Sequence, residues 1–272
     1  MLDRRTFVLG AAVTAVAATS VGTGTANAST PPSGGIGVAT LDGVPVTLAR
    51  IDGRWALLSD NGSVRITAGL DNADLVDLSD DGTRLVAAGS LAGDPVAALW
   101  TSADGVTWRE ARRLHGTRSE FTAVTGTLAL GSVVRHERAP EVRVAARRTP
   151  SGWTTAPVRG LADGLLASAL ATTAGGFVCA SVDSAGTRVH TSADGVAWSE
   201  LPRVDGVAVR GLASVSGVVR WFGNEIAGST PLTGVVGGAS GPAAVPADAK
   251  ALGVTGARAA WLSAGRLLTT AI

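Results

Sequence analysis

The sequence predicts an all-β protein that folds as a β-propeller of four-strand antiparallel blades, and three observations support this. The octapeptide T-S-A-D-G-V-T-W at 101–108 returns as T-S-A-D-G-V-A-W at 191–198, which is 90 residues later. Shorter versions, S-D-N-G at 59–62 and T-P-S-G-W at 149–153, make the repeated unit about 42 to 48 residues long, a period typical of propellers. Finally, 36 glycines and the lack of a helical pattern after residue 28 indicate many short strands joined by tight turns.

Each octapeptide has the chemistry of a tight turn between two strands. Its Ser and Asp side chains can hydrogen-bond nearby backbone amides, and its Gly adopts positive φ without steric cost. The pattern S-x-D-G-x-x-W resembles the Asp-box, or BNR repeat, of sialidase-like propellers, which links the third and fourth strands of a blade. The resemblance implies a propeller fold and a structural role for the box, on the face away from the binding side. It rests on Ser102, Asp104, Gly105 and Trp108, and on Ser192, Asp194, Gly195 and Trp198.

We divide the chain from residue 35 onward into six blades, with five or seven blades as alternatives. The last unit, 249–272, contains only three strands. An open strand edge invites aggregation, so we expect the strand at 36–41 to complete this last blade. Tryptophan recurs once or twice per unit, and we expect these side chains to pack between blades rather than to stack on sugars. They are Trp100, Trp108, Trp153, Trp198, Trp221 and Trp261.

The first 28 residues have the pattern of an export signal and are excluded from the predicted fold. Arg4 and Arg5 form a twin-arginine pair before a weakly apolar run, and the segment ends in the cleavage motif A-N-A. We therefore predict a signal peptide at 1–28, a linker at 29–35 and a single propeller domain at 36–272. The twin-arginine route carries folded proteins, which predicts a secreted or cell-envelope protein of a bacterium.

The composition limits the classes of function. The formal net charge of +1 falls to 0 when Asp3, Arg4 and Arg5 leave with the signal. A neutral surface argues against nucleic acid and against electrostatic membrane binding, both of which favour a basic excess. The single cysteine, Cys179, excludes an intramolecular disulfide, and we expect it to be a small buried hydrophobic residue. We expect a monomer without cofactor or metal, and no membrane insertion after signal cleavage.

No catalytic motif stands out in the sequence. Sialidases use a Tyr nucleophile, and this chain contains no Tyr. We also find no P-loop, no dinucleotide-binding fingerprint and no nucleophile elbow. We therefore predict a non-catalytic binding or scaffold module, with a carbohydrate or an envelope protein as its ligand. The alternative is an Asp-box glycoside hydrolase or lyase, which would need two carboxylates about 5 to 9.5 Å apart across the central channel.

The candidate binding residues follow from the expected topology. If the S-A-D-G turns mark one face, the loops between strands two and three and between blades mark the other. Two of those loops, 112–120 and 135–141, are rich in charge and hold two of the three histidines. They predict a polar binding patch at the channel mouth, although a solvated loop face is the simpler interpretation. The patch would contain His115, Arg118, Glu120, His136, Glu137, Arg138, Glu141 and Asp183.

Overall fold

The computed structural model describes residues 33–161, 166–228, 230–243, 245, 250–255 and 258–271. In these residues, 23 β-strands form six antiparallel sheets, five with four strands and one with three. The described residues contain no α-helix, and hence none that is long and apolar enough to cross a membrane. The predicted all-β propeller of six blades is therefore confirmed, whereas the predicted signal peptide lies outside the described residues.

Within each blade, the strands pair in sequence order. Blade 1 contains β1 (Ser33–Leu41), β2 (Val44–Ile51), β3 (Arg54–Ser59) and β4 (Val64–Ile66). Blade 2 contains β5 (Ala73–Asp80), β6 (Leu85–Leu91), β7 (Ala97–Ser102) and β8 (Arg109–Leu114). Blade 3 contains β9 (Arg118–Val124), β10 (Leu128–Val134), β11 (Val142–Thr149) and β12 (Gly152–Pro157). Blade 4 contains β13 (Ala167–Thr173), β14 (Gly176–Asp183), β15 (Gly186–Ser192) and β16 (Ser199–Asp205). Blade 5 contains β17 (Val207–Val215), β18 (Val218–Glu225), β19 (Pro231–Val235) and β20 (Ser240–Pro242). Blade 6 contains β21 (Lys250–Thr255), β22 (Arg258–Ser263) and β23 (Arg266–Ala271).

The first strand of every blade lies innermost. β1 lies against β5, β5 against β9, and β9 against β13. β17 lies against both β13 and β21, and β21 lies against β1. The six first strands thus form a closed ring around a central channel.

Apolar side chains fill the spaces between neighbouring blades. For example, Leu48 and Leu57 of blade 1 pack with Leu85 and Trp100 of blade 2. All six tryptophans named above are 1–8 % exposed and belong to such clusters, so the expectation that they pack between blades is confirmed.

The pairing of the N-terminal strand differs from the expectation. The strand at 36–41 does not complete the last blade, because it is part of β1, which pairs with β2 inside blade 1. Blade 6 has three strands among the described residues. The reason is the turn Asp42-Gly43, whose φ angles are 52° and 77°. Positive φ at both central residues defines a type I′ turn, which holds β1 against β2 as a hairpin. β1 also begins at Ser33, within the predicted linker.

An inter-blade clasp joins blades 1 and 2 and recurs between blades 3 and 4. Ala68, after β4, accepts a hydrogen bond from Trp108 N at 3.0 Å and donates one to Val106 O at 2.8 Å. Arg159, after β12, makes the same two bonds with the turn of blade 4, at 3.0 and 2.9 Å. Ala68 and Arg159 lie 91 residues apart, so the repeat comprises two blades together with the clasp that joins each pair.

A glycine is required beside each clasp. Gly69 and Gly160 have φ angles of 85° and 81°. A Cβ atom on them would lie 2.3 Å from Trp108 O and 2.1 Å from Trp198 O. Any other residue would therefore strain the backbone and push the two blades apart.

We expect Gly160→Ala to destabilise the fold far more than Gly206→Ala. Gly206 also has positive φ, 68°, but a Cβ there would meet no atom within 4 Å. The free energy of unfolding should fall by about 1 kcal/mol in the Gly206→Ala control, from backbone strain alone. In Gly160→Ala it should fall by about 3 kcal/mol or more, because the clash with Trp198 O is added. Urea unfolding of the two variants tests this, and equal losses would show that the clasp does not constrain the blades.

Candidate functional site

The loops of the blades lie on two opposite faces of the propeller. Because the strands of a blade are antiparallel neighbours in sequence order, the turns between strands one and two and between strands three and four lie at one end. We call this end the turn face. The loops between strands two and three, and the connections between blades, lie on the opposite, connection face. Both S-A-D-G turns join third to fourth strands, so both lie on the turn face, as expected.

The S-A-D-G turns are closed by their own side chains. Ser102 Oγ donates to Asp104 Oδ1 at 2.9 Å and accepts from Gly105 N at 2.9 Å. Asp104 Oδ1 also accepts from the backbone N–H groups of Val106 and Thr107, at 2.8 and 2.7 Å. The indole N–H of the following tryptophan donates to the glycine carbonyl at 3.1 Å. The copy in blade 4 makes the same five bonds in the same order, at 3.0, 2.9, 2.8, 2.9 and 3.1 Å.

The shorter versions of the motif occupy the same place in blades 1 and 3. In blade 1, Asn61 replaces the aspartate, and its Oδ1 accepts from Ser59 Oγ at 2.6 Å and Ser63 N at 3.0 Å. In blade 3, Thr149 Oγ1 donates to Gly152 O at 2.8 Å. Four successive blades therefore use related turns at this position.

The turn aspartates are stabilised in their ionised form. The backbone N–H of Thr107, followed by that of Val106, lowers the pKa of Asp104 to about 2. The corresponding N–H of Ala197 lowers the pKa of Asp194 to about 2. These carboxylates stabilise the turns, which is a structural role.

We expect Asp104→Ala to lower the melting temperature at pH 7 by several degrees, because the turn loses its acceptor for three donors. The native pKa lies below the unfolded value of about 4, so the stabilisation is present above pH 4 and is lost as the pH falls towards 2. The difference from wild type should therefore shrink between pH 5 and pH 2. Thermal melts across this range test it, with exposed Asp71→Ala as the control. A difference that does not change with pH would contradict this account.

The predicted binding residues all belong to the connection-face side of blades 2 to 4, at different distances from the channel. Arg118 and Glu120 lie on β9, an innermost strand, whereas His115 lies in the connection that leads to it. The loop 135–141 joins the second and third strands of blade 3, so it lies further out. This loop contains the exposed residues His136, Glu137, Arg138 and Glu141.

Glu120 belongs to a row of polar side chains that runs across blade 3. It pairs with Ser132, which pairs in turn with Arg143. Ser132 Oγ donates to Glu120 Oε1 at 3.2 Å. Leu130, two residues before Ser132, packs against blade 4. Since alternate residues of a strand share a side, the whole row faces blade 4.

Blade 4 presents a second polar row towards blade 3. Cys179 packs against blade 3, and its cross-strand partner is His190. Ser181 pairs with Arg188 one step further towards the connection face, and Asp183 follows. We call the two rows together the polar seam: Glu120, Ser132, Arg143, Ser181, Asp183, Arg188 and His190.

His190 is the most deeply buried charged or aromatic group of the polar seam. The residue is 2 % exposed, and Nδ1 has no hydrogen-bond partner among the residues that the structure describes. Burial lowers the pKa of His190. The negative charge of Glu200 opposes this shift, whereas the positive charges of Arg188 and Arg143 lower the pKa further. Burial likewise raises the pKa of Cys179 to about 12. Both groups are therefore neutral near pH 7, and Cys179 is the buried hydrophobic residue that we expected.

Asp183 is held firmly within its own blade. Its Oδ1 accepts from Ala185 N at 2.9 Å, and Arg188 and Arg203 both form ion pairs with the carboxylate. The Ala185 N–H is the largest cause that lowers the pKa of Asp183 to about 2, and the two arginines add to it. A ligand that used this carboxylate would have to compete with these partners.

The seam residues Ser132, Arg143 and Ser181 were missed by the sequence analysis. They lie inside strands, and their polar character was not recognised as a shared face. The available signal was alternation: Ser132 follows Leu130 by two residues, and Ser181 follows Cys179 by two.

Bulges in two of the innermost strands, β5 and β17, accompany charged side chains that line the central channel. In β5 the extra residue lies between Leu75 and Asp77, and in β17 it is Arg210. Asp77 and Arg210 line a cavity of about 40 Å³ in the channel, which is space for only a few water molecules. Asp77 accepts from Leu78 N at 2.8 Å and Val124 N at 2.7 Å, and burial raises its pKa to about 7.

The described residues contain no group of three or more His, Cys, Asp and Glu side chains that could hold a metal ion.

The comparisons with known proteins establish the fold of the chain. No protein-family model matches it, and no curated protein matches it. A solved structure named provisionally as a gluconolactonase matches with a TM-score of 0.59 and 12% identity, over 86% of this chain and 87% of that one. A catalytically inactive variant of virginiamycin B lyase from Staphylococcus aureus, solved with quinupristin, matches with a TM-score of 0.54 and 10% identity, over 90% and 86%. A chain of a nidogen–laminin complex matches with a TM-score of 0.50 and 12% identity, over 75% and 76%.

Proposed function

We propose that this protein is an exported β-propeller that acts as a non-catalytic binding or scaffold module and takes its ligand on the connection face. The ligand that we propose is a carbohydrate or another protein of the cell envelope. The observation that supports the proposal is the set of side chains that line the cavity in the central channel. Its cavity is lined by a single carboxylate, Asp77, among the described residues, and each oxygen of that carboxylate accepts a backbone N–H.

A glycosidase of this fold would need two carboxylates that converge on a substrate. Asp77 has no acidic partner in the described lining of this cavity, and about 40 Å³ does not admit a sugar ring. A ligand larger than a few water molecules would therefore have to bind outside this cavity.

The two faces differ in how their polar groups are used, which favours the connection face for binding. On the turn face, the serine and aspartate of each S-A-D-G turn are bonded within the turn. On the connection face, His115, Arg118, Glu137 and Arg138 are exposed. Such a preformed polar surface suits a hydrated, polar ligand.

The S-A-D-G turns also support a relationship to one group of propellers. Their bonding by serine, aspartate and tryptophan, and their position between third and fourth strands, fit the Asp-box pattern. We therefore include in the proposal that the chain is a divergent member of the Asp-box propellers that has no sialidase activity, because it contains no Tyr.

We expect the double variant Arg118→Ala/Arg138→Ala to bind an anionic glycan more weakly by about 2 kcal/mol or more, because charge-assisted hydrogen bonds are lost. The glycan is chosen from a screen of neutral and uronic-acid-containing polysaccharides, and its affinity is measured by calorimetric titration. The matched control is Arg84→Ala/Arg109→Ala, which removes two exposed arginines from the turn-face side of blade 2.

Equal affinities of the double variant and wild type would contradict binding at the connection face. A larger loss in the control would place the ligand on the turn face instead. Turnover of the bound glycan would favour the hydrolase or lyase alternative.

The proposed export depends on Arg4 and Arg5. We expect that changing both to Lys retains the precursor in the cytoplasm, because the twin-arginine pathway requires the arginine pair. The wild-type product should begin near Ser29. Cell fractionation with N-terminal sequencing of the product tests both points, and unchanged secretion of the double variant would refute this route.

A further inference from the structure

We propose that the polar seam is an acid-sensitive joint between blades 3 and 4, and that protonation of the buried His190 opens it and exposes Cys179 to solvent. This goes beyond the proposed ligand site, because it concerns how two blades are held together. Three features of the described residues support it: the place of His190 in the repeat, the charges around its ring, and the unpaired polar atoms of the joint.

His190 occupies the position that a tryptophan holds in the other copy of the repeat. It directly precedes the second octapeptide, as Trp100 precedes the first. Trp100 pairs with Ala87, which packs against blade 1, and His190 pairs with Cys179, which packs against blade 3. Trp100 and His190 are 3% and 2% exposed. The joint between blades 1 and 2 is therefore filled by a neutral indole, whereas that between blades 3 and 4 contains a side chain that can gain a charge.

The closed joint offers no acceptor for a second proton on Nδ1 of His190. This atom is buried and has no hydrogen-bond partner in the part of the chain that the structure describes. A neutral imidazole carries one proton, whereas the charged form donates from both of its nitrogens. The charged form would therefore bury a donor without an acceptor, which is costly.

The charges nearest to His190 are mostly positive. Arg188 lies two residues before it on the same strand and side, and Arg143 projects from β11 of blade 3. Both oppose a positive charge on His190, whereas Glu200, its cross-strand partner on β16, favours one. The side chain of Glu200 is 54% exposed and lies 3.9 Å from Arg188, so solvent and this arginine weaken its effect.

The other carboxylates of the polar seam have partners of their own. Asp183 is ion-paired with Arg188 and Arg203 inside blade 4. Glu120, on β9 of blade 3, accepts a hydrogen bond from Ser132 Oγ at 3.2 Å. Both lie towards the connection face, away from the ring of His190.

Cys179 and Arg147 are the remaining titratable groups of the joint. Burial raises the pKa of Cys179 to about 12, so this thiol is neutral. Arg147 lies on the same side of β11 as Arg143, towards the turn face, where its charge acts on Asp194. Neither a neutral thiol nor a further arginine offsets a positive charge on His190.

The joint contains a second unpaired polar atom. Thr122 is the extra residue of a bulge in β9, and its Oγ1 is buried without a partner among the described residues. Together with Leu130 and Arg143 of blade 3 and Ala167 of blade 4, it lines a cavity of about 10 Å³, which is space for about one water molecule. Unpaired buried atoms cost free energy, so the closed joint is less favourable than if both atoms were paired.

The direction of the pKa shift sets the pH range of opening. Burial and the two arginines lower the pKa of His190 in the closed joint below its ordinary value of about 6.5. The stability of the joint is therefore fully present above that value and is lost as the pH falls below it. Opening would move Glu120 on blade 3 away from Asp183 on blade 4, so it would also change the connection face.

Labelling of Cys179, the single cysteine of the chain, measures this opening. The folded protein is treated with a disulfide reagent that reacts at acid pH. Each rate is divided by the rate of the urea-unfolded protein at the same pH, which removes the pH dependence of the thiol itself. We expect the normalised rate to rise about tenfold or more from pH 7.5 to pH 5, because His190 takes up a proton in the open joint.

A matched reporter at the joint between blades 1 and 2 serves as the control. The double variant Ala87→Cys/Cys179→Ala moves the cysteine to the equivalent position beside Trp100, with His190 unchanged. Ala87 and Cys179 are both 0% exposed, so the two reporters are equally buried. The normalised rate of this variant should change by less than about twofold over the same pH range, because no buried histidine lies beside it.

His190→Gln and His190→Leu test the titrating group itself. Neither side chain can take up a proton, so the acid-dependent rise at Cys179 should disappear in both. Glutamine keeps a polar side chain and leucine supplies an apolar one, so an effect that both share reports the lost proton.

The proposal is overturned if the normalised rate at Cys179 does not rise with acid in wild type. It is also overturned if the rise persists in a folded His190 variant. An equal rise at the Ala87→Cys reporter would overturn it as well, since acid would then open the whole propeller and not this joint.

Discussion

Each blade of this propeller can bury its two faces only between two neighbours, and the rest of the structure depends on that constraint. Leu48 and Leu57 of blade 1 are buried by blade 2, whereas Ala49 and Leu58 of the same two strands are buried by blade 6. An isolated blade would expose both sets, so the blades stabilise one another around the whole ring. The close approach at Gly69 and the clasp at Ala68 follow from the same requirement, because blades must approach closely to exclude water.

The two faces of the ring have different chemistry as a result of the strand order. Turns between neighbouring strands are short and satisfy their polar groups locally, as Ser102 and Asp104 do. Connections between blades, and the loop 135–141, are less regular and carry exposed charge. The turn face is therefore held by local hydrogen bonds, whereas the loop 135–141 presents exposed charge on the connection face.

The apolar packing between neighbouring blades is interrupted at the polar seam and at the outer edge of β23. Between blades 3 and 4, the polar side chains of His190 and Ser132 are buried. At blade 6, Val64 and Ile66 remain exposed because no described strand covers them. Departures from consistent packing are expected at functional sites, and two seam residues, Glu120 and Asp183, belong to the predicted binding patch.

The sequence by itself determined the class of fold, the position of the turns and the burial of the tryptophans. These are local or periodic properties: the octapeptide carries the donors and acceptors of its own turn, and its spacing gives the size of the blade pair. The twin-arginine signal and the binding role of Arg118 and Arg138 stay predictions.

Only the tertiary structure decided how the strands and blades are combined. The pairing of 36–41 is an exception, because the hairpin signal Asp42-Gly43 stands in the sequence and holds this strand against β2. The polar seam needs the register of five strands from two blades, and the channel position of Asp77 needs a bulge in β5. A bulge or a one-residue shift moves side chains to the opposite side of a strand, so the sequence could identify these residues but not what they face.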